Sequence, residues 1–230
     1  YGFRHLDPVP SPEQLDAFYA DSYMELIEAG GRAPELRRLL EGGAEREAEL
    51  AWLRRSHYAD VAEALGRVGK GRLVDLGCGT GDFLQYAREQ GFSSDFDAVT
   101  LLNVLEHVPD PVRYVQQCRA LLRPDEGRLA IVVPNDFSEA QDAAARALGT
   151  TRRWWVAAPD HINYFDYASL DRLLAGEGFE VEERTGTFPM ELFLMMGDDY
   201  VGTPAKGKEC HQRRRNLEAA LPVELRRKLF

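Results

Sequence analysis

The stretch Val74-Asp75-Leu76-Gly77-Cys78-Gly79-Thr80-Gly81 constrains this chain more than any other feature. Its glycines alternate directly after an apolar run, Arg72-Leu73-Val74-Asp75-Leu76, and directly before a helical pattern over 82–90. Glycine turns sharply and puts no Cβ between the backbone and a ligand. A strand that ends in such a loop and feeds a helix opens a β-α-β unit, and open α/β sheets bind ligands beyond the carboxyl ends of their strands. The spacing departs from the dinucleotide fingerprint, which places two residues between the second and third glycines. The Gly-Lys-Ser/Thr ending of a triphosphate loop is also missing. Asp75, two residues before the first glycine, suits a cationic or hydrogen-bond-donating ligand better than a pyrophosphate.

The rest of the chain supports a doubly wound α/β sheet. Residues 96–102 and the β-branched run 128–133 read as buried strands, and 179–183 and 188–195 as the last two. Asp110-Pro111 caps a helix with Val112, Val115, Cys118, Leu121 and Leu122 on one face. A helix over 169–175 stops at Gly176 and Gly178. In the front third, Ser11-Pro12-Glu13-Gln14 is a helix start, with a serine cap, proline at the first helical position and glutamine at the capping-box position. That helix ends at Gly30-Gly31. A second helical region opens at Pro34, breaks at Gly42-Gly43 and continues through Trp52, Leu53, Val61 and Leu65. Residues 1–10 form an extended lead-in.

Three segments in order resemble the class I S-adenosylmethionine-dependent methyltransferases, in the small-molecule subgroup of ubiquinone-type enzymes. The glycine stretch is close to their first motif. Phe96-Asp97-Ala98-Val99 with Asn103-Val104-Leu105-Glu106-His107-Val108 resembles their fourth-strand segment, and Leu121-Leu122-Arg123-Pro124-Asp125-Glu126-Gly127-Arg128 the turn before the fifth strand. The resemblance covers roughly 73–193. It implies a Rossmann-like, mostly parallel sheet with S-adenosylmethionine as cofactor. Cofactor contacts would come from Asp75, Gly77, Cys78, Gly79, Gly81, Asn103 and Glu106. The family also places a second strand, a helix and a third strand before the fourth. Here only Gly91-Phe92-Ser93-Ser94-Asp95 intervenes, and a β-α-β crossover needs about ten to twelve residues. The chain is therefore expected to lack residues near 93–95, so that Ser93 is not one peptide step from Ser94 or Asp95.

Methyl transfer is an in-line displacement in which the protein aligns a nucleophile and takes up its proton. Histidine is the usual base near neutral pH, and the chain has five. His161, in the polar and aromatic loop Ala158-Pro159-Asp160-His161-Ile162-Asn163-Tyr164-Phe165, is the first candidate, with Tyr164 beside it. It can equally serve only to fasten the loop. His107 reads either as a cofactor or substrate contact or as a polar strand-end residue. Pro134-Asn135-Asp136 can line the same crevice, and Trp154-Trp155 reads as a substrate wall or as packing. His211 is assigned a structural role. No metal is required by this chemistry.

The division expected is an N-terminal helical cap or lid over 1–70, a cofactor-binding domain over 71–200 and a helical tail over 201–230. A formal charge of −10 disfavours a nucleic-acid partner. Arg213-Arg214-Arg215 is read as a solvated helix face. The three cysteines form no Cys-x-x-Cys pair, and no apolar run reaches membrane-spanning length. The expectation is a cytoplasmic enzyme without a membrane partner, acting on a small-molecule substrate; a homodimer is compatible with it. The lead-in Tyr1-Gly2-Phe3-Arg4-His5-Leu6-Asp7-Pro8 resembles the segment after a zinc ribbon in sugar-modifying methyltransferases. That points to a sugar or natural-product intermediate. The alternatives are a non-catalytic binding protein on the same fold and an aminopropyltransferase-like enzyme.

Overall fold

The computed structural model describes residues 1–28, 34–67, 71–79 and 81–230. The expected stop at Gly30-Gly31, and Thr80 of the glycine loop, lie outside the described residues. The chain divides into two compact units that interleave along the sequence. One unit holds Tyr1–Pro10, Tyr58–Phe137 and Ala157–Arg184; the other holds Ser11–His57, Ser138–Val156 and Thr185–Phe230.

The first unit is built on a parallel sheet. The lead-in supplies β1 (Arg4–His5), the glycine motif follows β2 (Arg72–Leu76), and β3 (Ser93–Leu102) and β4 (Arg128–Val132) complete the ladder in the order β2-β3-β4. Regular pairing sets Leu76 beside Leu101 and Leu101 beside Ile131. The two-residue side-chain period explains the core on either face. Leu73, Ala98, Leu102, Ala130 and Val132 pack with Val61, Leu65, Phe83 and Ala87. Val74, Leu76, Val99, Leu101, Leu129 and Ile131 pack with Val115, Cys118 and Leu173. These partners lie on α5 (His57–Gly66) and α6 (Asp82–Glu89) for one face, and on α7 (Pro111–Leu121) and α9 (Tyr167–Gly176) for the other. The middle strand is sealed from both sides, with Val99, Thr100 and Leu101 fully buried. β1 pairs antiparallel with β5 (Asn163–Tyr164), which ties the lead-in to the loop that carries His161.

The pairing of β2 with β3 has one irregularity. Arg72 faces Ser93, whereas Leu73 already faces Ala98, so residues 94–97 are passed in one step of β2. The jump falls where the sequence leaves too few residues for a crossover. Ser93–Leu102 is nevertheless one unbroken strand, so the expected break between Ser93 and Ser94 or Asp95 is not present.

The second unit is helical. It contains α1 (Pro12–Ala17), a π-helical turn (Phe18–Ser22), α2 (Tyr23–Glu28), α3 (Pro34–Glu41), α4 (Gly43–Arg55), α8 (Glu139–Leu148), α10 (Glu191–Met195), α11 (Pro204–Ala220) and α12 (Val223–Leu229). The expected capping box is present: Ser11 Oγ accepts from Gln14 N at 3.3 Å, and Gln14 Oε1 accepts from Ser11 N at 2.8 Å. Asp110 caps α7 through its bond from Arg113 N.

Two expected strands are not formed. Residues 188–195 contain α10, because Glu191, Leu192, Leu194 and Met195 are strong helix formers and Pro189 has no N–H to give a ladder. Residues 179–183 run without a ladder and are held by side chains instead. Phe179 packs under the sheet, and Glu182 and Glu183 pair with Arg128 at 3.2 Å and Arg67 at 2.5 Å. The arginine triplet is a solvated face only in part: Arg213 is exposed, Arg214 is half-buried and Arg215 is buried. Arg213 pairs with Asp198, Arg214 lies over the Trp52 ring, and Arg215 reaches Glu49. Among the described residues, no helix is long and apolar enough to cross a membrane.

Candidate active site

The candidate residues gather in the first unit at the carboxyl ends of β2 and β3. Asp75 points into the α5–α6 face with 8% of its surface exposed. Burial pushes its carboxyl up to about 6, against the opposing effect of a 2.6 Å hydrogen bond from Thr100 Oγ1. The chain then turns through Gly77, which needs glycine twice over. Its φ is +76°, and a Cβ there would stand 2.6 Å from Val104 Cγ2. That close approach brings the loop after β2 against the segment after β3. Farther along, nothing lies within 4 Å of the Cβ position of Gly79 or Gly81, so the loop presents bare backbone to open space. Cys78, on this loop, is exposed and free.

After β3 the backbone turns at Asn103, exposed and left-handed at φ +56°, a conformation asparagine tolerates better than most residues. Its N–H donates to Val132 O at 2.8 Å, which carries β3's exit across to β4. Glu106 follows, only 1% exposed. Burial pushes its carboxyl up to about 8; its own backbone N–H opposes this, and the negative charges of Asp136 and Asp160 add to it.

The His161 loop is pinned to this turn. Glu106 O accepts from Ile162 N at 2.8 Å and Asn163 N at 3.0 Å, and Asn163 Nδ2 donates to Leu105 O and Val108 O. The rings of His107 and His161 meet edge to face with centroids 4.7 Å apart. His107 Nδ1 lies 2.9 Å from Asp160 O. A carbonyl can only accept, so Nδ1 carries a proton; in the neutral ring Nε2 then holds the lone pair, 3.9 Å from Glu106 Oε1. Glu106, His107 and His161 each bring a ligating atom to within 4.8 Å of the others.

The structure thus joins three of the sequence candidates in one cluster, and the Gly77–Val104 contact sets the glycine loop beside the same turn. Tyr164 is placed differently. It is buried, its hydroxyl accepts from Ala157 N at 3.2 Å, and its ring packs on Phe137. Asn135 bridges to Phe165, and Asp136 N donates to Phe165 O, so the end of β4 borders the His161 loop as expected. Trp154 and Trp155 stack edge to face in the second unit. A cavity of about 220 Å³ also lies in that unit, between α4 and α11, lined by Ala48, Trp52, Arg55 and Asn216 among others.

Sequence reasoning did not single out Thr100 or Asn163. Thr100 was legible in part, since it shares Asp75's side of the pleat. Asn163 gave no signal, because its partners lie more than fifty residues away.

Residues 93–184 match a family model described as a methyltransferase domain. Over 30 residues the chain is 60% identical to a ubiquinone biosynthesis O-methyltransferase of Haemophilus ducreyi, 13% of either chain. Over 101 residues it is 33% identical to a ubiquinone biosynthesis O-methyltransferase of Xanthomonas axonopodis pv. citri, 44% of this chain and 41% of that one. A highly reducing polyketide synthase of Aspergillus terreus is 30% identical over 108 residues, 45% of this chain and 4% of the synthase. The chain therefore spans less than half the length of the curated relatives it matches.

Proposed function

We propose that this chain, which carries a class I S-adenosylmethionine-dependent methyltransferase domain, methylates an oxygen, nitrogen or carbon atom of a small metabolite. A sugar or natural-product intermediate is the class to try first. One observation carries the reading: the bare glycine loop after β2 abuts the turn after β3 that holds Glu106, His107 and His161. A cofactor loop and a proton-accepting group are thereby adjacent.

The residues present fit the methionine half of S-adenosylmethionine. Gly79 and Gly81 leave room for close approach, and Asp75 offers a carboxylate to a donor group. When bound, the cofactor supplies an electrophilic methyl group. The protein's own share is to orient the acceptor and hold its proton. In this reading Asp75, Gly77, Cys78, Gly79, Gly81, Asn103 and Glu106 face the cofactor. His161 takes the proton from the acceptor, His107 supports it across the ring contact, and Tyr164 holds the loop through Ala157 N while keeping its own proton to donate.

The full doubly wound Rossmann-like arrangement, and the division at 70 and 200, belong to the same proposal.

Calorimetric titration with S-adenosylmethionine tests the activity. The reading expects one saturable site per chain that S-adenosylhomocysteine competes for. Absence of binding would put a non-catalytic protein on this fold in front.

A further inference from the structure

We infer that the cavity between α4 and α11 is a binding site for a small monocarboxylate. It lies within the second unit and measures about 220 Å³. Buried Trp52, Ser56, Arg215 and Glu218 make its floor, and exposed Ala48, Ala51, Arg55, Gln212, Asn216 and Ala219 its rim. A cavity of roughly 150 Å³ holds a benzene molecule, so this one takes a ligand somewhat larger than that.

The hydrogen bonds of the wall set the ligand's polarity. An arginine can only donate, and Arg215 Nη2 donates to Gln212, so the oxygen of that amide faces Arg215. Gln212 Nε2 is thereby aimed at Asn216, whose Oδ1 accepts from it at 2.8 Å. Asn216 Nδ2 is left as a donor with no partner among the described residues. Arg55 adds to it. Its Nη2 donates to Ala219 O at 3.0 Å, and its Nε and Nη1 hydrogens are unengaged among the described residues. The acceptors of the wall, in contrast, are taken. Glu218 Oε1 accepts from Phe188 N at 2.8 Å and Oε2 from Trp52 Nε1 at 2.5 Å, and the Ser56 hydroxyl donates to Trp52 O.

Charge points the same way. Arg38, Arg55 and Arg215 stand in and behind this wall against Glu49 and Glu218, an excess of one positive charge. Spare N–H groups beside one excess cation suit a monoanion that only accepts, and a carboxylate matches the arginine fork in geometry. A doubly charged phosphate exceeds the charge on offer. The carbon frame of the ligand lies along Ala48, Ala51 and Ala219, which put only methyl groups into the space, and beside the Trp52 indole. The site is independent of the methyl-transfer reading, since none of its residues belongs to the glycine loop or the His161 loop.

The test is calorimetric titration of the full chain with benzoate and with hexanoate, with benzylamine and benzamide as cationic and neutral counterparts of benzoate. At least one carboxylate should saturate one site per chain, and the amine and amide should bind about tenfold more weakly or less. Saturating S-adenosylhomocysteine should leave the carboxylate's affinity unchanged. Arg55→Gln should weaken binding about tenfold or more. Ala51→Phe, which fills the cavity and removes no donor, should abolish it, and it reads the site even if Arg55→Gln fails to fold. His5→Ala, at an exposed histidine of the first unit, leaves binding unchanged. The inference is overturned if neither carboxylate saturates, if benzylamine is preferred, if inorganic phosphate at equal concentration displaces the carboxylate, or if both cavity variants keep full affinity.

Discussion

Two equally buried carboxylates, one in each unit, sit in opposite electrostatic surroundings. Glu49, on α4, is fully enclosed, yet it receives Arg38 Nε at 2.8 Å and His211 Nε2 and Arg215 Nη1 at 3.1 Å each. Burial alone would raise its pKa, but the hydrogen bonds from His211 and Arg38 hold it down at about 2. Glu106 has the same burial, no arginine or lysine bonded to it among the described residues, and a carboxyl pushed up to about 8. A carboxylate enclosed by cations is part of the framework. One left in a negative surrounding beside two histidines has the character of a working site.

The largest effect expected from this contrast is on Glu49. Glu49→Gln strands two arginines and a histidine in a dry interior and should cost about 3–5 kcal/mol in urea unfolding. A loss below about 1 kcal/mol would show that the cluster is solvated and the contrast false. The pH dependence follows the same logic. Glu49's folded pKa lies below its unfolded value of 4.5, so its contribution is present above 4.5 and is lost as the pH falls toward 2. The loss should approach about 3 kcal/mol across that window and vanish in Glu49→Gln.

Asp75 sharpens the comparison from the other side. Its folded pKa is raised from 3.8 to about 6, so stability is greatest below 3.8 and falls as the pH rises through 6, again by about 3 kcal/mol. Asp75→Asn should remove that slope, which unfolding midpoints at pH 4 and pH 7 would measure. The smallest effect belongs to Glu106→Gln. The amide replaces a carboxyl without stranding a cation, so stability at neutral pH should change by no more than about 1 kcal/mol. A loss as large as that of Glu49→Gln would mean that Glu106 is framework too.

Local signals were legible in the sequence, and distant partnerships were not. The strand before the glycine loop, the Ser11 capping box and the Asp110 cap all depend on residues within a few positions, and each formed where the pattern put it. The run 188–195 misled because an apolar stretch of that length suits a strand or a helix, and its helix formers decided the outcome. Glu49 gave no signal, since two of its three partners lie more than 160 residues along the chain. At the candidate site, Glu106 and His107 were marked by their motif and His161 by its loop. Their meeting depends on backbone bonds from the 162–163 segment to the turn after β3, which no sequence period encodes.

The central claim is that the glycine loop after β2 holds the cofactor, and photolabelling with methyl-tritiated S-adenosylmethionine tests it most directly. Trypsin releases that loop in a single peptide spanning 73–88. The account predicts that ultraviolet light fixes the label in this peptide and that S-adenosylhomocysteine suppresses it. Label confined to other peptides, or insensitive to the competitor, would contradict it.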